Sequence, residues 1–192
     1  MDTGSAMPSD DDILIQRFGA GDTQAFAVLF TRYHRQVYNY ARMVLHDPAA
    51  AEDMLQDTFV AATDAASRYE PRGHFRAWLL GICRHRCLDW LERRQRRERF
   101  ATENGYLLLD SATADSPSQA VQRQEQLELT LAGLARLPVP QREAVTLHAL
   151  RDLSYAEIAE VMDCPINTVK TLIRRGRLHL ARLLAEAEGT ES

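Results

Sequence analysis

The sequence predicts an all-α protein with two small helical domains, joined by a flexible acidic linker, and a helix-turn-helix in the C-terminal domain. Apolar residues recur at steps of three and four in several segments, and no segment shows the alternation of a half-buried strand. A small, polar and acidic stretch at 110–118 separates the two periodic parts. The expected organisation is a disordered tail at 1–12, a first domain at 13–100, a linker at 101–120, a second domain at 121–187 and a tail at 188–192.

The composition fits a soluble globular protein. Of 192 residues, 45% are hydrophobic and 26% are charged, which is enough apolar surface for a core. The chain has no run of about 18 apolar residues, so no membrane span is predicted. The acidic start of the chain does not resemble a secretory signal. Three cysteines, an odd number, argue against a disulfide framework. We therefore expect a cytoplasmic protein with no membrane insertion of its own.

The charges are segregated along the chain, although the net charge is only -4. Residues 72–99 carry nine arginines against three acids, and residues 164–182 carry five basic residues and no acid. The preceding segments, 1–71 and 100–128, are both acidic. Screening confines each field to about 10 Å, so local charge rather than net charge decides where phosphate binds. Each basic segment is either a solvated helix face or a surface for nucleic acid.

Three main helices are predicted in the first domain. Asp47 can cap a helix and Pro48 suits its first position, so a helix is expected over 48–67. Pro and Gly interrupt the periodicity at 69–74, which predicts a loop before a long helix at 75–99. An apolar stripe predicts the helix that precedes these two, with the inward residues Phe26, Phe30, Tyr33, Val37, Tyr40 and Val44.

The second domain ends in a helix-turn-helix pattern at 155–174. Ser154 and Glu157 form a capping box that opens a short helix closing near Met162. Asp163 tolerates a left-handed turn, and Pro165 can open the next helix. The expected buried set is Ile158, Ala159, Met162, Cys164, Val169 and Leu172 or Ile173.

The second helix of this motif would present a polar and cationic face. In DNA-binding proteins with this motif, the second helix enters the major groove, where arginine reads guanine and lysine or threonine holds phosphates or bases. An ordinary helical hairpin is the alternative explanation of the pattern. The residues of this face are Asn167, Thr168, Lys170, Thr171, Arg174, Arg175 and Arg177.

Two blocks of the sequence resemble sigma factors of the extracytoplasmic-function (ECF) group. The C-terminal block resembles their region 4 and contains Leu137-Pro138, Arg142-Glu143-Ala144-Val145, Leu153-Ser154-Tyr155-Ala156-Glu157-Ile158-Ala159-Glu160 and Pro165-Ile166-Asn167-Thr168-Val169-Lys170-Thr171. The N-terminal block resembles regions 2.2 to 2.4 and contains Ala51-Glu52-Asp53-Met54-Leu55-Gln56-Asp57-Thr58-Phe59, Phe75-Arg76-Ala77-Trp78-Leu79-Leu80-Gly81-Ile82-Cys83-Arg84 and Leu88-Asp89. The resemblance extends over residues 20–184, with both blocks in the family's order.

The resemblance implies an alternative sigma factor that directs RNA polymerase to promoters. It implies that Asp53, Gln56 and Asp57 bind the clamp helices of the largest polymerase subunit, while the C-terminal domain meets the flap of the second largest subunit. The C-terminal domain would bind minus-35 duplex DNA through the face described above. The resemblance further implies control by an anti-sigma factor, with no catalytic residue and no cofactor.

The loop 71–75 and the helix after it would, by the same resemblance, capture the minus-10 element as melted DNA. Arginines and histidines there can form a basic track for the backbone, as single-stranded DNA requires. His85 stands where the family usually has Asn, and Asn167 stands where Gly is common, so base preference is not carried over. The minus-10 set is Arg72, His74, Arg76, Arg84, His85, Arg86, Arg93 and Arg94.

Other classes of protein explain less of the sequence. A one-component DNA-binding regulator needs only the C-terminal domain, and a sigma mimic that titrates an anti-sigma factor would not need its basic surfaces. An enzyme is disfavoured because the chain has no Gly-rich phosphate loop or nucleophile motif. Cys83 and Cys87, with His85 between them, have a spacing that a metal could use, but a pair of buried thiols is the simpler interpretation and no metal is expected.

Overall fold

A computed structural model describes residues 9–103, 129–150 and 153–188, and these ranges contain helices and no strand. None of the described helices has the length and hydropathy that crossing a bilayer requires. The predicted all-α fold is confirmed. Residues 104–128, which include most of the expected linker 101–120, lie outside the described ranges. The elements are α1 (Asp10–Gly19), α2 (Thr23–Leu45), α3 (Pro48–Ala65), a 3₁₀ turn (Ala66–Arg68), α4 (Phe75–Glu103), α5 (129–135), α6 (Val139–Ala149), α7 (Tyr155–Met162) and α8 (Ile166–Glu188).

The chain becomes helical earlier than the sequence analysis predicts. The Ser9 hydroxyl accepts a hydrogen bond from the backbone of Asp12, and the Asp12 carboxylate accepts one from the Ser9 backbone, so the two residues form a capping box that opens α1. The disordered tail expected at 1–12 is therefore wrong for residues 10–12. Similarly, α4 continues to Glu103, three residues into the expected linker.

The first domain packs α2 against α1, α3 and α4. Val37, Tyr40 and Val44 are fully buried, as the apolar stripe predicts, and Leu29 joins them. Phe30 departs from the prediction. It is 39% exposed and packs its ring against Phe59 and His34 at the edge of the core. Leu29 rather than Phe30 therefore lies on the buried side of α2, so the buried face is displaced there by one residue from the predicted one.

The second domain holds the predicted helix-turn-helix in α7 and α8. Ser154 and Glu157 form the expected capping box, and Asp163 takes the left-handed conformation at φ 49°. The predicted core positions are buried or half-buried, and Cys164 lies at the edge of the core. A Cβ atom on Gly176 would approach Cγ2 of Val145 to 2.6 Å, so the absence of a side chain there allows α8 to lie close to α6.

The two domains pack directly against each other. Helix α4 of the first domain contacts α7, and α2 contacts α6. One apolar core is continuous across this boundary, with Val37 and Cys83 on one side and Leu147, Ile158 and Val169 on the other. This contact decides which of the predicted DNA-binding side chains remain open to solvent.

Candidate nucleic-acid interface

Helix α8 presents its predicted DNA-binding face to solvent. Val169 and Ile173 are buried against the domain, and this orientation turns the opposite side of the helix outward. Among the residues that the structure describes, no ion pair joins this outward face to a carboxylate. Its cations therefore remain available to an external anion. The seven predicted residues are all exposed: Asn167, Thr168, Lys170, Thr171, Arg174, Arg175 and Arg177.

The loop before α4 forms one wall of an open cavity of about 310 Å³. Tyr69 and Trp78 meet edge to face, with their ring centroids 4.8 Å apart, and both line the cavity. Arg72 and His74 are exposed at its rim, together with Glu160 from the second domain. The cavity thus combines aromatic rings with cationic side chains, which is the chemistry that an unstacked base and its phosphate require.

The first turns of α4 are paired with carboxylates of the second domain. Arg76 NH2 lies 3.0 Å from Glu157 Oε1, and His74 Nδ1 lies 2.7 Å from Glu160 Oε2. Both acids are on α7, the first helix of the helix-turn-helix. The positive charge predicted to meet melted DNA is therefore offset here by protein carboxylates.

A third ion pair of this kind is buried. Arg84 Nε lies 2.9 Å from Glu143 Oε1, and the Glu143 residue is only 1% exposed. The Tyr40 hydroxyl donates a hydrogen bond of 3.2 Å to the same carboxylate oxygen. Burial raises the pKa of Glu143, although the Arg84 charge and the Tyr40 hydrogen bond oppose the rise. Glu143 therefore joins two helices of the first domain to α6.

Arg142 and His46 belong to the same contact between domains. The Arg142 guanidinium donates to the carbonyl oxygen of Val44 at 2.6 Å and to the carbonyl oxygens of Ala135 and Leu137. His46 ends α2 in the left-handed conformation at φ 58°. Burial, with the Arg142 and Arg42 charges nearby, lowers the pKa of His46 to about 4.

The remaining minus-10 candidates lie further along α4. His85, Arg86 and Arg93 are exposed, whereas Arg94 forms an ion pair with Glu98 at 2.7 Å and lies 5.4 Å from the centre of the Trp90 ring. The structure thus divides the predicted set. His74, Arg76 and Arg84 face the second domain, Arg72 is exposed and pairs with Glu70 within the first domain, and His85, Arg86 and Arg93 face solvent.

The acidic face of α3 is exposed on the far side of the helix from the core. Asp53, Gln56 and Asp57 are all exposed, while Met54 and Thr58, which follow the two aspartates in the chain, are buried. Phe59 is 5% exposed and belongs to the core. The helix thus presents two carboxylates and an amide together.

Comparison with known proteins identifies two sigma factor regions in the chain. Residues 29–97 match the family Sigma-70 region 2, and residues 127–180 match Sigma-70, region 4. The chain is 33% identical over 181 residues to the ECF RNA polymerase sigma factor SigM of Mycobacterium tuberculosis, covering 94% of this chain and 88% of that protein. The chain belongs to the ECF RNA polymerase sigma factors. It is also 32% identical to the RNA polymerase sigma-H factor of Pseudomonas aeruginosa over 87% of this chain and 90% of that protein.

Two solved structures share the fold of this ECF sigma factor. CnrH, solved in complex with the cytosolic domain of CnrY, superposes with a TM-score of 0.71 at 26% identity, over 93% of this chain and 99% of that chain. The sigma factor RpoE of Bartonella quintana, solved with the anti-sigma factor NepR, gives a TM-score of 0.70 at 25% identity, over 85% of this chain and 98% of that chain. The sequence-based assignment to the ECF group is confirmed.

The two cysteines of α4 in this sigma factor are buried thiols, as the simpler interpretation predicts. Cys83 and Cys87 are fully buried, and Cys83 lies 3.9 Å from the carbonyl oxygen of Val37. The neighbouring Cys83 thiol and burial both raise the pKa of Cys87, so its thiol form is favoured. In the described ranges, no group of three or more metal-binding side chains comes together.

Sequence reasoning missed several residues that organise the sigma factor's surfaces. Arg142 and Glu143 lie within the region 4 motif, but nothing local in the sequence indicates that they face the other domain. Asp12 has a local signal, since Ser9 precedes it by the capping-box interval. His46 carries no such signal, because its environment arises only when the two domains pack together.

Proposed function

We propose that this ECF sigma factor divides promoter recognition between its two domains. The outward face of α8 reads the minus-35 duplex, and the 71–75 loop with α4 holds the melted minus-10 strand. Asp53, Gln56 and Asp57 bind the clamp helices of the largest polymerase subunit, and the second domain meets the flap of the second largest subunit. No side chain acts as a catalyst, since the protein works by binding and the chemistry belongs to the polymerase.

The observation that carries the proposal is the α8 face. Four cations, two threonines and an asparagine are exposed together on the second helix of a helix-turn-helix, which is the helix that enters a major groove in this motif. Because its described residues form no ion pair with a carboxylate, DNA phosphates need not displace a protein anion from this face. Of its cations, Arg177 contacts another side chain, with its NH2 3.1 Å from Nδ1 of His148. The face is suited to a duplex in geometry and in charge.

The minus-10 assignment is supported by the cavity beside Tyr69 and Trp78. Single-stranded DNA binds to proteins through aromatic stacking and a cationic track, and Arg72 and His74 extend such a track from the cavity rim. His85, Arg86 and Arg93 continue it along the exposed side of α4. His85 can use a ring nitrogen for a base or a phosphate, although its Nδ1 lies 3.0 Å from the Gly81 carbonyl oxygen.

Control by an anti-sigma factor is the regulatory part of the proposal. The sigma factor RpoE of Bartonella quintana, which shares this fold, is solved in complex with the anti-sigma factor NepR, and CnrH, which also shares it, is solved in complex with the cytosolic domain of CnrY. We expect a partner that binds across the two domains and so prevents the protein from reaching polymerase.

The test is run-off transcription with purified core polymerase on a library of genomic promoter fragments, with and without this protein. Transcripts that start only with the protein would support the proposal and would define both promoter elements. If core polymerase neither binds the protein nor gives new transcripts, the proposal is wrong and a DNA-binding regulator or a sigma mimic explains the chain better.

The core-binding face can be tested separately. Asp53→Lys with Asp57→Lys reverses both charges on the exposed side of α3, and we expect the affinity for core polymerase to fall at least about tenfold, as for reversal of close charge pairs at an interface. Asp10→Lys with Asp89→Lys is the matched control, because it makes the same charge change at exposed positions elsewhere. Equal affinity of the two double variants in a competition assay would remove the docking assignment.

A further inference from the structure

The side chain of Asp12 connects α1 to the loop 71–75, which the proposed function assigns to minus-10 binding. Asp12 lies on α1, outside the spans 29–97 and 127–180 that match the sigma factor families. It is 0% exposed, yet its carboxylate accepts hydrogen bonds from Tyr69, just before the loop 71–75, and from Gly73 within that loop. We propose that Asp12 is a positioning residue that holds this loop in the shape that selects the melted minus-10 strand. The inference rests on the proposed function of the loop.

The contacts use both oxygens of the carboxylate. Oδ1 accepts from the Tyr69 hydroxyl, and Oδ2 accepts from the backbone N–H of Gly73 at 2.6 Å and of Ser9 at 2.8 Å. Three donors converge on the group, which only an ionised carboxylate can satisfy with two oxygens. Burial raises the pKa of Asp12, but the hydrogen bonds from Tyr69, Ser9 and Gly73 outweigh it and hold the pKa below its ordinary value.

The loop depends on these two anchor points. Gly73 has φ 75°, a backbone conformation that other residues rarely adopt, and its N–H is directed at Asp12. Tyr69 is held at both ends, by Asp12 at its hydroxyl and by Trp78 and Phe75 around its ring. Arg72 lies between the anchors, so its position at the cavity rim follows from theirs.

Asp12 acts from behind the loop rather than on DNA. It has no accessible surface, and its charge is offset by three donors, so it does not repel a phosphate at the rim. The cavity wall itself is Tyr69 and Trp78. Loss of the carboxylate would leave the rings of Tyr69 and Trp78 and the Arg72 guanidinium present, but their relative positions would no longer be fixed.

A purely structural role in α1 makes a different prediction, and two neighbouring residues separate the two roles. Ser9→Ala removes the side-chain cap of α1 without touching the loop. Asp11→Asn removes the charge that Arg32 and Tyr33 on α2 contact and leaves one acceptor oxygen for the two donors, while the hydrogen bonds of Asp12 to the loop stay intact. Asp12→Asn keeps the volume of the side chain but presents an amide NH₂ to donors that need an acceptor.

The experiment measures minus-10 selectivity with the full-length protein and saturating core polymerase. The probe is a library with a randomised minus-10 element, built on a promoter found by run-off transcription, with the transcripts sequenced. For Asp12→Asn we expect the preference for the best minus-10 sequences over the median to fall about tenfold, as for loss of one to two buried hydrogen bonds. Asp11→Asn and Ser9→Ala should keep the wild-type preference.

Unchanged selectivity of Asp12→Asn would overturn the inference, as would an equal loss in all three variants. If Asp12→Asn does not fold, Tyr69→Phe decides, because it removes one donor and keeps the ring: a wild-type ranking for it overturns the inference. Arg72→Ala with His74→Ala tests the proposed function of the loop in the same library. If this variant alters the ranking and Asp12→Asn does not, only the role of Asp12 fails, and if neither alters it, both fail.

Discussion

The two surfaces predicted to bind DNA differ in what they contact within the protein itself. The α8 face is exposed, and its described residues form no ion pair with a carboxylate. In contrast, His74, Arg76 and Arg84 of the α4 surface each lie within 3.0 Å of a carboxylate of the second domain. The same residue types therefore meet solvent in one case and a protein partner in the other.

This difference has a direct consequence for promoter binding. Under the proposed function, a duplex can reach the α8 face while the domains are packed together, whereas melted DNA has to displace Glu143, Glu157 and Glu160 before it uses the whole α4 surface. The three pairs are not equal, because Glu143 is buried, the Arg76–Glu157 pair is half-buried and the His74–Glu160 pair is exposed. Among the three ion pairs, the one at Glu143 therefore contributes most to the resistance to domain separation.

The largest effect is expected from Glu143→Ala. It leaves the half-buried Arg84 and the buried Tyr40 hydroxyl without the carboxylate that both contact. Removing one member of a buried ion pair costs about 3 to 5 kcal/mol, because the remaining charge stays desolvated. We expect the free energy of unfolding, measured by urea titration, to fall by this amount. The radius of gyration in small-angle scattering should increase as the domains separate.

The control for this substitution is Glu92→Ala. Glu92 also forms an ion pair with an arginine, Arg96 at 3.1 Å, but both side chains are largely exposed. An exposed pair of this kind contributes less than about 1 kcal/mol. Equal unfolding midpoints for the two variants would show that Glu143 does not hold the domains together.

The second effect is a dependence of stability on pH at His46. In the described ranges neither ring nitrogen of His46 has a hydrogen-bond partner, and its pKa in the folded protein is about 4. Because this value lies below the ordinary 6.5, the folded state favours the neutral ring. The stabilisation is complete above pH 6.5 and is lost as the pH falls towards 4, by up to about 3 kcal/mol.

His46→Asn tests this dependence, since Asn also tolerates the left-handed conformation at this position. Glu143 acts in the opposite direction, because a raised carboxyl pKa favours the folded state on acidification. The informative quantity is therefore the difference between wild type and His46→Asn in the free energy of unfolding at each pH. A difference that stays constant between pH 7 and pH 4 would contradict the prediction.

A smaller effect, confined to DNA binding, is expected for Arg174→Ala with Arg175→Ala. Both side chains are exposed on α8, so the free energy of unfolding should change by less than about 0.5 kcal/mol. Affinity for a minus-35 duplex should fall about tenfold, and the salt dependence should become less steep by about two ions if both arginines contact phosphate. Arg35→Ala, at an exposed position on α2, is the control, and equal affinity in both variants would exclude this face.

The sequence predicted best what depends on neighbouring residues. The capping box at Ser154 and Glu157 and the left-handed turn at Asp163 are local, and both are confirmed. The contact of Glu143 with Tyr40 joins residues 103 positions apart, and only the folded chain brings them together. For the same reason the exposed charges of α8 could be predicted from periodicity, whereas the ion pairs of Arg76 with Glu157 and of Arg84 with Glu143 could not.

The smallest effect should come from Glu157→Gln with Glu160→Gln. Gln keeps the capping box at residue 157, so α7 should stay intact, and each of the two ion pairs, one exposed and one half-buried, contributes about 0.5 kcal/mol. Arg76 and His74 would lose their carboxylates, and the affinity of the full-length protein for a single-stranded minus-10 oligonucleotide should rise about twofold to fivefold. Glu70→Gln is the matched control, because Glu70 pairs with Arg72 within the first domain. A rise in affinity for Glu70→Gln but not for the double variant would mean that the second domain does not compete with DNA for the α4 surface. The α4 and α8 surfaces would then be equally accessible to DNA.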